Sequence, residues 1–239
     1  MTKVIVALDF PTQAEALSMV DILRPDIEFF KVGLELFVAS GPDVVRAVKD
    51  RGAAVFLDLK FNDIPNTVRG ASACAARLGV DIISVHTGIG REGLVAARQG
   101  VDEAAGPGRR PVVAGVTVLT SLGGGEPGRD GEAAGGVLQR VLGLSRLAVE
   151  CGLNGIITSV REAAEVRKAV GPEPVIITPG IRLPDSAEDH KRTGTVAEAV
   201  AAGADFLVVG RPITRASDLK GQARKFIEEV ARTAGKPRT

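Results

Sequence analysis

The sequence predicts a single (β/α)8 TIM barrel, an α/β fold in which eight parallel strands close on themselves. Three observations predict it. Short β-branched apolar runs recur along all 239 residues, helix-patterned segments separate them, and no Pro/Ser-rich linker or compositional break divides the chain. One domain covering residues 1–239 is therefore expected. A doubly wound open sheet is the alternative that pattern alone leaves open.

Strands are expected at Val4–Leu8, Glu28–Val32, Ala54–Leu59, Ile82–Val85, Val112–Val118, Gly155–Thr158, Val175–Thr178 and Phe206–Val209. Most are continuous apolar runs without polar alternation, as parallel strands covered on both faces require. Thr12-Gln13-Ala14-Glu15 has the form of a capping box, and Leu17, Val20 and Leu23 would supply the buried stripe of the helix that follows. Pro42 and Pro65 read as first-turn prolines. Four approaches to strands share a pattern: Gly52-Ala53-Ala54, Gly79-Val80-Asp81, Gly152-Leu153-Asn154 and Gly203-Ala204-Asp205. Each puts a glycine where a helix should end and then turns directly into the next strand. The longest irregular stretch, Gly123 to Gly136, reads as a mobile loop after the fifth strand or as a plain surface insertion.

Hydrophobic residues make up 45% of the chain, which excludes a disordered or fibrous class. With 30 basic and 29 acidic residues, the net charge of +1 gives no reason to expect nucleic acid or an anionic membrane as partner. Trp and Tyr are absent, which disfavours stacking platforms for single strands. The opening Met1–Asp9 lacks the features of a signal peptide, and no apolar run reaches the roughly 20 residues of a membrane span. Cys74 and Cys151 have no metal-ligand spacing and read as buried thiols of a reducing compartment, so a cytoplasmic location is expected. His86 and His190 are the only histidines, too few for a histidine-rich metal site, and His86 reads as structural.

The densest polar cluster is Asp58-Leu59-Lys60-Phe61-Asn62-Asp63-Ile64-Pro65-Asn66-Thr67. Side chains repeat with period two along a strand, so Asp58 and Lys60 should point the same way at the strand end where barrel enzymes place their chemistry. A solvated rim would also carry charge. Two other strand ends argue against that reading, because Asp9 closes the first strand and Lys31 sits inside the apolar run Phe29-Phe30-Lys31-Val32. A lysine in such a run needs a carboxylate or a ligand. Lys31, Asp58, Lys60 and Asp63 thus suggest an alternating array. Flanking carboxylates keep Lys60 an ammonium, suited to stabilising a developing anion and donating a proton, and unsuited to Schiff-base chemistry.

A second constellation follows the last two strands. Thr178-Pro179-Gly180-Ile181-Arg182 and Val208-Val209-Gly210-Arg211-Pro212 stand where barrels commonly form a phosphate site from backbone N–H groups and basic side chains. Thr120 and Ser121, at the end of the fifth strand, could hydrogen-bond a polar ring or merely cap the loop.

Together these stretches resemble the orotidine 5'-phosphate decarboxylase family of bacterial type. The opening Val-Ala-Leu-Asp, the Lys31 strand, Asp-x-Lys-x-x-Asp-Ile-Pro-Asn-Thr, Leu-Thr-Ser, Thr-Pro-Gly-Ile-Arg and Val-Gly-Arg-Pro-Ile occur in that order over nearly the whole chain. The resemblance implies a cofactor-free, metal-free decarboxylase acting on orotidine 5'-phosphate. Lys60 would stabilise and protonate the carbanion left at C6, with Asp58 beside the substrate carboxylate and Lys31 linking ribose to the charged array. Asp9 would bind ribose, Thr120 and Ser121 the pyrimidine, and Ile64 would form an apolar wall. Arg182, Gly210 and Arg211 would hold the phosphate. Asp63 and Thr67 would reach the neighbouring site of a homodimer.

One departure stands out: His190, in Asp189-His190-Lys191-Arg192, occupies the place of the family's usual loop glutamine. An imidazole there could keep the phosphate contact and add mild pH dependence, or be left to water. Two other functions remain as alternatives. A metal-dependent sugar-phosphate decarboxylase or aldolase shares the Asp-x-Lys-x-x-Asp motif, but is expected to carry a glutamate near Lys31. A non-catalytic phosphate-ligand binding barrel would have no use for Lys60 and both carboxylates.

Overall fold

Eight of the strands do close. The computed structural model describes residues 1–104, 110–119, 136–183 and 194–235. Its strands are β1 Lys3–Ala7, β2 Phe29–Gly33, β3 Ala54–Phe61, β4 Ile82–His86, β5 Val112–Val116, β6 Gly155–Ile157, β7 Val175–Pro179, β8 Ile181–Arg182, β9 Gly194–Thr195 and β10 Phe206–Val209. They form a closed parallel barrel in the order β1-β10-β7-β6-β5-β4-β3-β2, with β8 and β9 as a separate two-stranded sheet. The open-sheet alternative is thereby excluded. Differences from the expected strands lie at their ends: β5 stops at Val116, and β3 runs on to Phe61.

Ten α-helices are described: α1 Gln13–Leu23, α2 Leu34–Ser40, α3 Asp43–Asp50, α4 Pro65–Arg77, α5 Gly90–Ala104, α6 Gly136–Glu150, α7 Val160–Val170, α8 Val196–Ala201, α9 Arg211–Thr214 and α10 Leu219–Ala234. Thr12 caps α1 by accepting from the Glu15 N–H, but the expected capping box is only half formed, because the Glu15 carboxylate accepts from the Thr12 hydroxyl. The buried stripe of α1 is Ala16, Met19, Val20 and Leu23, with Leu17 half-buried at its edge. Pro65 opens α4, whereas Pro42 is the cap residue before α3. Cys151 is buried, but Cys74 is exposed. The buried face of α4 is set by Val68, Ser72 and Ala75 at helical spacing, which turns Cys74 outward.

Two apolar layers result. One lies between strands and helices, and the other fills the barrel, with Ile5, Phe29, Phe56, Ile82, Ala114, Ile157, Ile177 and Val208 pointing inward. Between α4 and α5 the helices approach so closely that a Cβ on Gly100 would collide with the Arg69 carbonyl oxygen.

The Gly-x-(Asp/Asn) approaches have a physical purpose at the barrel floor. Gly79, Gly152 and Gly203 take positive φ of 73°, 82° and 83°, which ends each preceding segment and turns the chain into β4, β6 and β10. The acidic or amide side chain two residues on then accepts a backbone N–H from the adjacent strand. Asp81 Oδ2 takes Val55 N at 2.8 Å, Asn154 Oδ1 takes Val113 N at 2.8 Å, and Asp205 Oδ2 takes Ile176 N at 2.8 Å. Each satisfies a ladder donor that the stagger of a closed barrel leaves over. Asn154→Ala should therefore strand the Val113 N–H and lower the unfolding free energy by about 1–3 kcal/mol, read from urea midpoints.

Candidate active site

The polar residues sit where the inward-facing positions run out of apolar side chains. Counting by twos along the strands, Ile5 and Ala7 lead to Asp9, Phe29 to Lys31, Phe56 to Asp58, and Ile82 to Ser84. The barrel interior is thus apolar below and charged at the C-terminal ends of β1 to β4. Lys31 and Asp58 are each only 9% exposed.

These side chains meet. Lys31 Nζ lies 2.9 Å from Asp9 Oδ1 and 3.7 Å from Asp58 Oδ2, and Lys60 Nζ lies 2.9 Å from Asp58 Oδ1. Asp58 therefore stands between two ammonium groups, which offset the cost of burying its charge. Three members of the expected array are together. The fourth, Asp63, is exposed on the rim, where its carboxylate accepts from the Ile64 N–H at 2.6 Å.

Period two brings Asp58 and Lys60 to the same side, and the strand is distorted between Leu57 and Phe61. Lys60 has φ 51°, the sole positive value for a non-glycine among the described residues. The β3–β4 register, Leu57↔Ile83 below, becomes Phe61↔Val85 above. A left-handed residue at an irregularity of this kind costs roughly 1–2 kcal/mol and re-aims the side chain it carries. Ser84 spans the gap, donating to Asp58 Oδ1 at 2.8 Å and accepting from Lys60 N at 2.9 Å.

Lys31, Asp58 and Lys60 form the charged wall of a ≈ 140 Å³ pocket whose other sides are mostly apolar, including Phe56, Val116, Leu119, Ile157 and Val208, with Thr158 as the one uncharged polar residue among the described residues of the lining. A second cleft of ≈ 450 Å³ lies beside it, sharing Val208, and is lined by Asp9, Gly180, Arg182, Gly210, Arg211 and Arg215. Gly180, at φ 77°, makes the turn after β7 in a conformation that favours glycine. The ion pair of Lys31 with Asp9 links the two spaces. One part of the site is thus suited to a flat ring with a reacting carbon near Lys60, and the other to an anion.

The remaining expected residues fall elsewhere. Ile64 is 66% exposed and Thr67 is also exposed, and neither lines the pocket of its own barrel. Thr120, Ser121 and His190 lie outside the described residues. His86 caps the turn after β4, with Nδ1 accepting the Gly88 N–H at 3.0 Å. Burial, reinforced by the positive charge of Arg140 and Lys60, holds its imidazole below the ordinary value, so it is neutral at pH 7.

Sequence reasoning gave no role to Ser84, Gly33 or Arg215. Ser84 carried a signal of the same kind as Lys31, a polar residue at an inward position in an apolar strand. Gly33 carried none, since its role depends on Lys31 folding back over it. A Cβ there would sit 2.9 Å from Lys31 Nζ and 3.1 Å from Asp9 Oδ1. The backbone of Gly33, at φ −95°, suits alanine. Gly33→Ala should therefore lengthen the 2.9 Å contact of Lys31 Nζ with Asp9 to beyond roughly 4 Å, the limit of an ion pair, in a crystal structure of the variant.

Known proteins share both the residues and the fold. Residues 2–226 match the model of the orotidine 5'-phosphate decarboxylase / HUMPS family. The orotidine 5'-phosphate decarboxylase of Moorella thermoacetica is 48% identical over 235 residues, covering 95% of this chain and 92% of the relative. That of Nitratidesulfovibrio vulgaris is 45% identical, covering 97% and 98%. The crystal structure of orotidine 5'-phosphate decarboxylase from Lactobacillus acidophilus superposes with a TM-score of 0.83 at 33% identity, covering 96% of this chain and 99% of that one. A Lys–Asp–Lys cluster at the rim of a closed barrel, a sequence match along almost the whole chain, and relatives at this identity lead to one assignment: the chain belongs to the orotidine 5'-phosphate decarboxylase / HUMPS family.

Proposed function

We propose that the protein decarboxylates orotidine 5'-phosphate to uridine 5'-phosphate and carbon dioxide in pyrimidine biosynthesis, without metal or cofactor. The observation that carries this is the Lys31–Asp58–Lys60 cluster, with Lys31 and Asp58 buried and Lys60 half-buried, set in a mostly apolar pocket that adjoins an arginine-lined cleft. In this reading the pyrimidine occupies the pocket and the phosphate lies against Arg182, Gly210 and Arg211, with ribose between them at Asp9 and Lys31. The C6–carboxylate bond breaks, carbon dioxide leaves, and the electron pair stays on C6. Lys60 Nζ, an ammonium held at 2.9 Å from Asp58, faces that pair and gives C6 its proton. A fixed positive charge in a pocket with apolar walls acts far more strongly on a developing carbanion than it would in water. Binding energy from the remote phosphate can order the site and so raise the rate as well as the affinity.

The metal-dependent alternative is disfavoured by Lys31, whose ammonium 3.7 Å from Asp58 would repel a divalent cation from that carboxylate. The relatives named orotidine 5'-phosphate decarboxylase, at 48% and 45% identity, point the same way.

The working unit in this proposal is a homodimer in which Asp63 and Thr67 complete the partner's site. Three facts support it. Both residues are exposed at the start of α4 and turned away from the pocket of their own barrel. Large apolar side chains are exposed after the neighbouring strands β2 and β3, namely Leu34 at 55%, Val38 at 80% and Ile64 at 66%. The charged array of a single chain also lacks its fourth member. Ile64 would then pack at the junction of the two chains. His190, Thr120 and Ser121 keep the roles implied by resemblance, as contacts to phosphate and base.

Two experiments test these readings. Purified wild type in excess EDTA should consume orotidine 5'-phosphate, followed by absorbance, while Lys60→Ala loses at least about 10²–10³-fold in kcat. No turnover by wild type would overturn the assignment, and loss of turnover in EDTA would revive the metal-dependent rival. Mixing inactive Lys60→Ala and Asp63→Ala chains should restore about a quarter of wild-type activity, because half of a random dimer population is hybrid and each hybrid holds one intact site. If no activity returns, although hybrids form, Asp63 acts within its own chain.

A further inference from the structure

We propose that Ser84 is a positioning residue for this reaction, joining the Asp58 carboxylate and the Lys60 backbone into one unit that aims the Lys60 ammonium. The inference rests on the decarboxylase reading above and names a residue that this reading does not use.

In a regular parallel ladder alternate residues face alternate neighbours. Since Ala54 N donates to the Glu28 carbonyl while the Val55 carbonyl accepts Asp81 N, the N–H of residue 60 would face the side of β2, which ends opposite Asp58. Here the β3–β4 register breaks between Leu57 and Phe61, and Lys60 takes φ 51°. The Lys60 N–H is nonetheless not left unpaired, because it donates to Ser84 Oγ at 2.9 Å. Ser84 is 0% exposed, so water cannot replace it in this role.

The direction of the network then follows from donor counting. Lys60 N is a donor, so the single O–H of Ser84 is free to be given elsewhere, and it goes to Asp58 Oδ1 at 2.8 Å. That same oxygen accepts Lys60 Nζ at 2.9 Å. One carboxylate oxygen thus receives both the hydroxyl and the ammonium, while the other faces Lys31 at 3.7 Å. The backbone of Lys60 and its own side-chain head are pinned at two ends of one small ring of bonds, closed through Ser84 and Asp58. Such a closed arrangement is what keeps a sparsely populated backbone conformation in place at a working site.

Ser84 does not line the pocket that holds Lys31, Asp58 and Lys60. Its action therefore runs through those two residues and not through contact with substrate. Without the hydroxyl, Lys60 N loses its partner, Asp58 loses a donor, and the left-handed turn has less to hold it. The ammonium then samples positions away from the reacting carbon, and displacements of about 1 Å can cost on the order of 10²-fold in rate.

The test compares Ser84→Ala, Ser84→Cys and Ser84→Thr with wild type, measuring kcat and KM for orotidine 5'-phosphate and, separately, the affinity for uridine 5'-phosphate. Ser84→Ala should lower kcat by about 10–100-fold, the size expected for losing hydrogen bonds to a charged group. Its KM and uridine 5'-phosphate affinity should stay within about twofold of wild type, since the phosphate cleft is untouched. Ser84→Cys keeps the volume but bonds weakly and should resemble the alanine variant, whereas Ser84→Thr keeps the hydroxyl and should recover most of the rate. An active wild type with an unchanged kcat in Ser84→Ala would overturn the inference alone. So would a variant in which uridine 5'-phosphate affinity falls as far as kcat, which marks general damage to the fold. An inactive wild type would overturn the decarboxylase reading itself.

Discussion

Everything at the upper end of this barrel is arranged around one buried carboxylate. Asp58 is 9% exposed and has an ammonium on each side, Lys31 at 3.7 Å and Lys60 at 2.9 Å, with the Ser84 hydroxyl as a further donor. A lone carboxylate at that depth would be strongly destabilising, and so would the equally buried Lys31. The cluster is tolerable only as a set, so no member can be removed without leaving charge uncompensated. The set also depends on its surroundings. Lys31 reaches both carboxylates because Gly33 leaves it space, and Lys60 meets Asp58 where β3 departs from regular geometry.

The parallel barrel makes such a set possible. All eight strands end at the same rim, and inward positions recur every second residue, so side chains from β1, β2, β3 and β4 converge there without any long loop having to carry them. The opposite rim does different work. There Asp81, Asn154 and Asp205 accept backbone donors of the neighbouring strands and fix the stagger of the closed sheet. The floor is regular and fully paired, and the top holds the one left-handed non-glycine residue among those described. Local strain at Lys60 is sustained by order elsewhere in the same strands.

This division also explains what the sequence could and could not disclose. The eight barrel strands were legible because each is a short apolar run with turn residues at its ends, and β10 lies at Phe206–Val209 as expected. The glycines before β4, β6 and β10 were legible as helix stops, but the bonds made by the Asp or Asn that follows were not. Those bonds run to another strand, across separations that local pattern cannot measure. The same holds at the site. Lys31 was conspicuous because a charge inside Phe29-Phe30-Lys31-Val32 demands a partner. Ser84 was inconspicuous because a single small hydroxyl in a strand is common and usually inert. The resemblance makes Ile64 an apolar wall without saying which chain's pocket it lines, and a residue beside Asp63 on the rim has little reason to turn back into its own barrel. Cys74 was misjudged because cysteine is usually buried, and only the phase of α4 against its neighbours decides the matter.

The arrangement of charge bears on how decarboxylation can be driven. Asp58 is held by Lys31, Lys60 and Ser84, side chains of β2, β3 and β4, so its position is set by groups of the barrel itself. In the proposed complex the substrate carboxylate must enter a pocket in which Lys60 is already paired with Asp58. As carbon dioxide departs, negative charge passes from that carboxylate to C6, and the ammonium has only to follow a small shift of charge within its reach. A lysine on an ordinary flexible stem would have to be ordered in every turnover. Here the ordering is made during folding, by a distorted strand, a buried carboxylate and a serine hydroxyl, which is the sense in which the site is preorganised for its transition state.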